Sequence, residues 1–194
     1  MIRYESLTDE QLVPLSLKDE KSFYCLMKRY DVKILRYIKH ITNINQKEAE
    51  DILQEILIKV YKNLNGFNPK LSFSSWIYRI AHNEVINNYR KNKSHSKTIS
   101  SDMGNDDNGL PELIYDTFDI HEKYISKEKT ETIRTALAEL PDKYREILIL
   151  RYFEDQSYKE ISDILRKPQG TIATLVNRAK LKFKKLAVKY ELNG

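Results

Sequence analysis

A single cysteine, Cys25, stands among 194 residues, so no intramolecular disulfide can form. Its apolar neighbours Leu26 and Met27 suit a buried packing role better than catalysis. Five glycines and five prolines are too few for a loop-dominated or fibrous chain, and with helical apolar periodicity they argue for an all-α protein. No apolar run approaches the ~20 residues that span a bilayer, so no membrane insertion is expected. The first twelve residues carry Glu5, Asp9 and Glu10 and no apolar core, which is not the pattern of a signal peptide. The cytoplasm is the expected compartment. The four histidines, His40, His82, His95 and His121, are scattered, with no metal-ligand spacing. A glycine-rich, phosphate-cradling loop is lacking too. Glu48, Glu50, Asp51 and Glu55 invite a magnesium-site reading, but Glu48 and Glu50 diverge around a helix and no second carboxylate cluster with a base accompanies them. No catalytic residue, metal or cofactor is therefore expected.

What is present is positive charge in a pattern. Lys and Arg outnumber Asp and Glu by 33 to 28, and the pI is about 9.0, which suits a polyanionic partner without requiring one. Residues 157–186 read as two helices joined by a tight turn. Ser157 and Glu160 form a capping-box start, and Ile161, Ile164 and Leu165 follow at helical spacing. Pro168 cannot continue that helix but suits the first turn of another. The second helix, from about Gln169, puts Ile172, Val176, Ala179, Phe183 and Leu186 on one side. Thr174, Asn177, Arg178 and Lys185 lie opposite, with Thr171 beside them. Residues 166–190 contain no acid. A short helix, a turn and a basic amphipathic helix make the helix-turn-helix pattern, whose second helix enters a DNA major groove. The plainer alternative is a charged helix on an ordinary bundle. Leu181 points outward on this wheel with no role assigned to it.

Earlier in the chain, residues 8–11 start a short helix that Pro14 is expected to interrupt or end. Residues 19–41 read as one longer helix with Phe23, Leu26, Met27, Tyr30, Ile34, Tyr37, Ile38 and Ile41 at core spacing. Asn45 and Glu48 form a second capping box, opening a helix that ends near Gly66. Its buried stripe is Ala49, Ile52, Leu53, Ile56, Val60 and Leu64, while Asp51, Gln54, Glu55, Ile58 and Tyr61 lie on or near the other side. A large aliphatic residue among those charges suits a partner-binding surface, although single exposed ones are common. Residues 71–93 form a helix with Phe73, Trp76, Ile77, Ile80, Ala81 and Val85 on its core side. Arg79, Asn83, Ile86 and Arg90 cluster elsewhere with Asn87 adjacent, side chains suited to phosphates and base edges. Residues 94–120 then turn polar, rich in Ser, Asn and Asp, as a solvated acidic tether would be. A helix to about Leu140 ends at Pro141, and residues 142–153 lead to the helix-turn-helix.

Three of these stretches, in this order, resemble a known family. Pro168-Gln169-Gly170-Thr171 with Arg178-Ala179-Lys180 is similar to region 4 of bacterial RNA polymerase sigma factors, especially the extracytoplasmic-function group. The stretch from Ala49 to Glu55 resembles their region 2.2, and that from Trp76 to Asn83 their regions 2.3 and 2.4. The resemblance implies an all-α fold of two helical domains. A region 2-like bundle at 1–93 and a region 4-like helix-turn-helix domain at 122–194 would be joined by a flexible acidic linker at 94–121. It implies a sigma factor that binds core RNA polymerase through its β′ and β subunits and directs initiation by −10 and −35 recognition and promoter melting. An anti-sigma factor is a further implied partner. Asp51, Gln54, Glu55 and Ile58 would meet polymerase. Arg79, Asn83, Asn87 and Arg90 would meet −10 DNA. Thr171, Thr174, Asn177, Arg178, Lys180 and Lys182 would meet −35 DNA. Ala173 and Leu175 depart from the family, which often has basic residues there. The rival reading is a repressor-like or response-regulator-like protein that binds DNA alone. Such a protein needs neither Asp51, Gln54 and Glu55 nor the Trp76 helix.

Overall fold

A computed structural model describes residues 4–42, 44–95 and 127–192, with side chains outside 89–95 and 127–131. Every regular element among the described residues is helical. Helix α1 (Asp9–Ser16) starts on a reciprocal cap: Gln11 N donates to Thr8 Oγ1 at 3.3 Å, and Thr8 N donates to Gln11 Oε1 at 2.9 Å. Pro14 lies inside α1 rather than ending it, since its missing N–H forfeits one ladder bond in a short helix.

The single helix expected over 19–41 is two, α2 (Glu20–Lys28) and α3 (Asp31–Ile41). The break serves a distant contact. Arg29 donates to Asp9 Oδ1 at 2.6 Å and to the Leu7 carbonyl at 2.8 Å, and the Tyr30 hydroxyl donates to the same Asp9. Apolar periodicity continues across the break because both helices bury the same side, so the pattern alone does not reveal it. Cys25 is half-buried rather than fully packed away.

Helix α4 (Gln46–Asn63) is capped on one side only. Glu48 N donates to Asn45 Oδ1 at 3.0 Å, and no return bond from Glu48 is among those described. It runs out through a 3-10 turn, Leu64–Gly66, with no left-handed glycine. Ala49, Ile52, Ile56, Val60 and Leu64 are buried as expected, and Leu53 is half-buried. Helix α5 (Phe73–His95) packs against α4, and at its head the rings of Phe73 and Trp76 meet Phe67 at 5.6 Å and each other at 5.5 Å. These five helices make the first lobe.

The second lobe holds α6 (Lys127–Ala138), α7 (Asp142–Leu148), α8 (Tyr158–Leu165) and α9 (Gln169–Lys189). Between α7 and α8 the chain widens into one π-helical turn, Ile149–Phe153, closed by Glu154 N donating to the Ile149 carbonyl at 3.0 Å. Ile147, Leu148, Ile149 and Leu150 are all buried, four in succession, so this stretch is covered on every side. The second cover is the first lobe: α5 packs on α8, and α3 on α7 and the π turn. The expected tether lies outside the described residues except for positions 94 and 95, which end α5.

Candidate nucleic-acid interface and docking face

The turn between α8 and α9 is built from three local choices. Ser157 and Glu160 complete the reciprocal cap, at 3.2 Å to Glu160 N and 2.9 Å from Ser157 N. Arg166 ends α8 in the left-handed conformation, φ 53°, and its N–H donates to the Ser162 carbonyl. Pro168 then stands immediately before α9, where a missing N–H costs nothing. Helix α9 buries Ile172, Val176, Ala179, Phe183 and Ala187, with Leu186 half-buried at the edge. It runs on to Lys189, a turn's length past the expected end near Leu186.

That burial leaves a polar face outward. Thr171, Thr174, Asn177 and Lys182 are exposed, and Arg178 and Lys180 are half-buried. The Thr174 hydroxyl donates to the Gly170 carbonyl at 2.9 Å. Lys180 lies over the Tyr152 ring and Lys182 over the Tyr144 ring, at 5.6 and 5.5 Å, so these two lysines flank the buried stripe from opposite sides. Leu181 is 39% exposed in the middle of the outer face.

On α4, Asp51, Gln54, Glu55 and Ile58 are all exposed and share one face, with Ile58 52% open to solvent and Tyr61 beside it 63% open. An edge contact with Phe23 at 5.2 Å holds the Tyr61 ring. The α5 residues fare differently. Asn83 and Asn87 are exposed, but Arg79 is half-buried, and the side chain of Arg90 lies outside the described residues. Desolvation, then the neighbouring Arg166, lowers the pKa of Arg79, with Asp163 opposing them. Both neighbours belong to the second lobe, on and just after α8.

At the seam between the lobes is a cluster that local sequence reading missed. The Glu154 carboxylate is fully buried. It accepts from Arg36 Nε at 3.2 Å and Nη2 at 3.1 Å, and from the Tyr78 hydroxyl at 2.6 Å. Arg36 Nη2 also donates to the Phe153 carbonyl at 3.0 Å, and the His40 ring packs edge-on against Phe153 at 4.9 Å. The Ser74 hydroxyl donates to Gln156 Oε1 at 3.2 Å, and Ser72 reaches Glu160 at 3.4 Å. His82 meets Glu146. Burial beside Glu154 pushes the Tyr78 phenol well above its ordinary range. No local pattern marks Glu154, because its partners lie about 75 to 120 residues away. The one available signal was the unbroken apolar run Ile147-Leu148-Ile149-Leu150, which a helix with a wet side does not carry. Beside the seam lies a cavity of 320 Å³, lined by Ile41, Ile44, Val85 and Leu137 with Lys39 and Arg134 among its polar walls. Among the described residues there is no cluster fit to hold a metal ion and no helix long and apolar enough to cross a membrane.

Comparison with known proteins matches the two lobes separately. Residues 26–95 fit the family described as Sigma-70 region 2, and residues 130–183 fit Sigma-70, region 4. The chain is 31% identical over 179 residues to the ECF RNA polymerase sigma factor SigW of Bacillus subtilis (strain 168), covering 91% of this chain and 94% of that one. It is 34% identical over 171 residues to the RNA polymerase sigma factor YlaC of the same organism, covering 87% and 94%. In fold it is similar to the sigma factor RpoE from Bartonella quintana, solved in complex with the anti-sigma factor NepR. The TM-score there is 0.62 at 22% identity, covering 86% of this chain and 96% of that one.

Proposed function

The chain belongs to the sigma-70 family, in its extracytoplasmic-function group, and on that premise we propose how its surfaces divide the work of a factor that directs core RNA polymerase to promoters. The α4 face of Asp51, Gln54, Glu55 and Ile58 docks on the clamp coiled coil of the β′ subunit. The outer side of α5, with Arg79, Asn83, Asn87 and Arg90, holds the −10 element, where an unstacked base is taken into a pocket rather than read inside the duplex. The outer side of α9, with Thr171, Thr174, Asn177, Arg178, Lys180 and Lys182, reads the −35 element. Residues 1–93 and 122–194 act as the two functional domains, joined through 94–121. The β subunit is a further contact, and an anti-sigma factor is the partner that restrains the chain. The protein supplies no catalytic residue to RNA synthesis, and it works in the cytoplasm, on the nucleoid when bound to polymerase.

The observation that carries this reading is the α4 face. It combines two carboxylates, an amide and an aliphatic side chain, all open to solvent, on the stretch that matches region 2. Ile58 and Tyr61 stand exposed together on its wet side, and interfaces favour such apolar residues ringed by polar ones. Run-off transcription by core polymerase, with and without the protein, tests it. Promoter-dependent transcripts that need the protein are expected. Tight, sequence-specific DNA binding by the free protein with no effect on polymerase would favour the repressor-like reading.

A further inference from the structure

Neither DNA reading nor polymerase docking uses the cavity of 320 Å³ beside the seam, which α3, α4 and α5 line together with α6 and α7. Its wall is largely apolar. Ile52, Val85 and Leu137 are buried there, and Ile41, Ile44 and Ile86 are half-buried around them. These side chains leave the space between them unfilled, although an apolar void forfeits the dispersion contacts its lining would otherwise make. A cavity of about 150 Å³ with such a lining binds benzene. A space of 320 Å³ therefore suits a guest of about ten to twelve non-hydrogen atoms, at the lower end of the roughly 300–1,000 Å³ range of small-molecule sites.

The polar groups of the same cavity fall into two sets. The acids are already matched: Asp142 accepts from Arg145, which also donates to the Ala138 carbonyl at 3.3 Å, and Glu146 meets His82. The other set is unmatched. Lys39 on α3 and Arg134 on α6 are exposed where they line the cavity, and neither has an ion pair or hydrogen bond among the described residues. His40 lines it too, with a side chain only 4% exposed. Its Nδ1 stands 3.8 Å from Glu154 Oε1, beyond hydrogen-bond length, and is unsatisfied among the described residues. The two nitrogens of an imidazole point away from each other, so with Nδ1 turned to Glu154 the Nε2 atom is left for a guest. Buried polar side chains without a partner are uncommon, and each calls for an explanation.

We propose that this cavity is a binding site for a small amphipathic carboxylate, with its apolar body among Ile52, Val85 and Leu137 and its head between Lys39 and Arg134. His40 Nε2 is a further hydrogen-bond donor to the head. An apolar lining with a few placed polar groups is the general make-up of a ligand site, in which burial supplies affinity and the polar groups fix orientation. The alternatives each leave something unmet. A hydrophilic anion covers none of the apolar wall, a neutral alcohol leaves both cations without a counter-charge, and an amine is repelled by them. An alkyl chain and a single aromatic ring both suit the lining, so the shared chemistry is a carboxylate on a compact apolar body. Because Lys39 and Arg134 belong to different lobes, the bound molecule touches both. Its binding adds to the stability of the folded chain with the logarithm of its concentration.

Full-length protein titrated with sodium octanoate and, separately, with 3-phenylpropanoate tests the site. Isothermal titration calorimetry is expected to show one saturable site for at least one of the two acids, with a Kd of about 0.1 mM, and the tighter of them identifies the body as alkyl or aromatic. The melting temperature should rise with that acid. 1-Octanol and inorganic phosphate should each bind at least tenfold more weakly. Lys39→Glu with Arg134→Glu changes only exposed side chains, so far-UV circular dichroism should hold while the acid binds at least tenfold more weakly and octanol within twofold of the parent. Ala138→Trp places a large ring in the cavity from an exposed position and should weaken acid and alcohol alike. Should the tryptophan variant lose helicity, the charge-reversed variant decides alone. Failure of both acids to bind, binding that never saturates, or an affinity unchanged by charge reversal would overturn the proposal.

Discussion

Individual side chains carry separable tasks, and substitution can tell them apart. Gln54→Ala with Glu55→Ala removes two exposed groups from α4, so polymerase affinity should fall while helicity and melting temperature hold, as outer-face changes cost little stability. A loss of folding with unchanged affinity would show the face to be internal. On α9, Arg178 offers a planar fork able to reach two acceptors on one guanine. Arg178→Ala should cost about 1–3 kcal/mol of binding and relax preference at one position of the −35 element. Lys182→Ala should weaken all sequences alike and reduce the salt slope by about one. Binding of promoter DNA by holoenzyme across a salt series separates the two. Another residue, at the end of α6, ties α9 back to it. Glu139 accepts from Lys189 at 2.8 Å and from Tyr190, and these bonds, that of Lys189 first, hold its carboxyl below the usual carboxylate range. A folded-state value below the unfolded one contributes stability that is present above the ordinary carboxylate pKa and lost as pH falls through the lowered value. The melting temperature of Glu139→Gln should therefore drop less on acidification than that of the wild type.

Among the elements, those with one wet side were legible and those covered on both sides were not. The stripes of α4 and α9 follow the 3.6-residue period, and the buried residues fall where that period puts them. The α2–α3 break was hidden, because Arg29 and Tyr30 turn there to meet Asp9, a partner about 20 residues back. The π turn was hidden for a similar reason. Its extra residue rephases Ile149 to Phe153, and Asp155 in the left-handed region, φ 50°, lets Glu154 and Gln156 both be buried around it. Trp76 tests the packing of α5. It is buried against Phe67 and Phe73, so Trp76→Ala should cost about 3–5 kcal/mol, read as a fall in urea midpoint. A variant as stable as the wild type would show that this cluster is not what holds α5 to the first lobe.

At the scale of the whole molecule the lobes share one apolar core, with the buried Ile147–Leu150 stretch between them. The composition of residues 94–121, rich in Ser, Asn and Asp, leads to the expectation that limited proteolysis cuts there first. The two fragments should then elute together on gel filtration, because Glu154 and its partners cross the seam without the connecting chain. They should separate in the Arg36→Ala, Tyr78→Phe variant. A first cut within residues 45–90 would contradict the division into domains.

Local sequence by itself determined where α1, α2, α4, α8 and α9 start, which side of each faces inward, and which side chains are left outward on α4 and α9. Capping and periodicity act over three to four residues, so a reader of the chain sees them directly. Only the tertiary structure decided that Arg79 is half-covered, that Tyr78 and Glu154 are buried together, and that the two lobes close on each other. Those outcomes depend on groups brought together from far along the chain. Whether a charged side chain sits in water or in an ion pair depends on what packs over it, which its own neighbours in sequence do not specify.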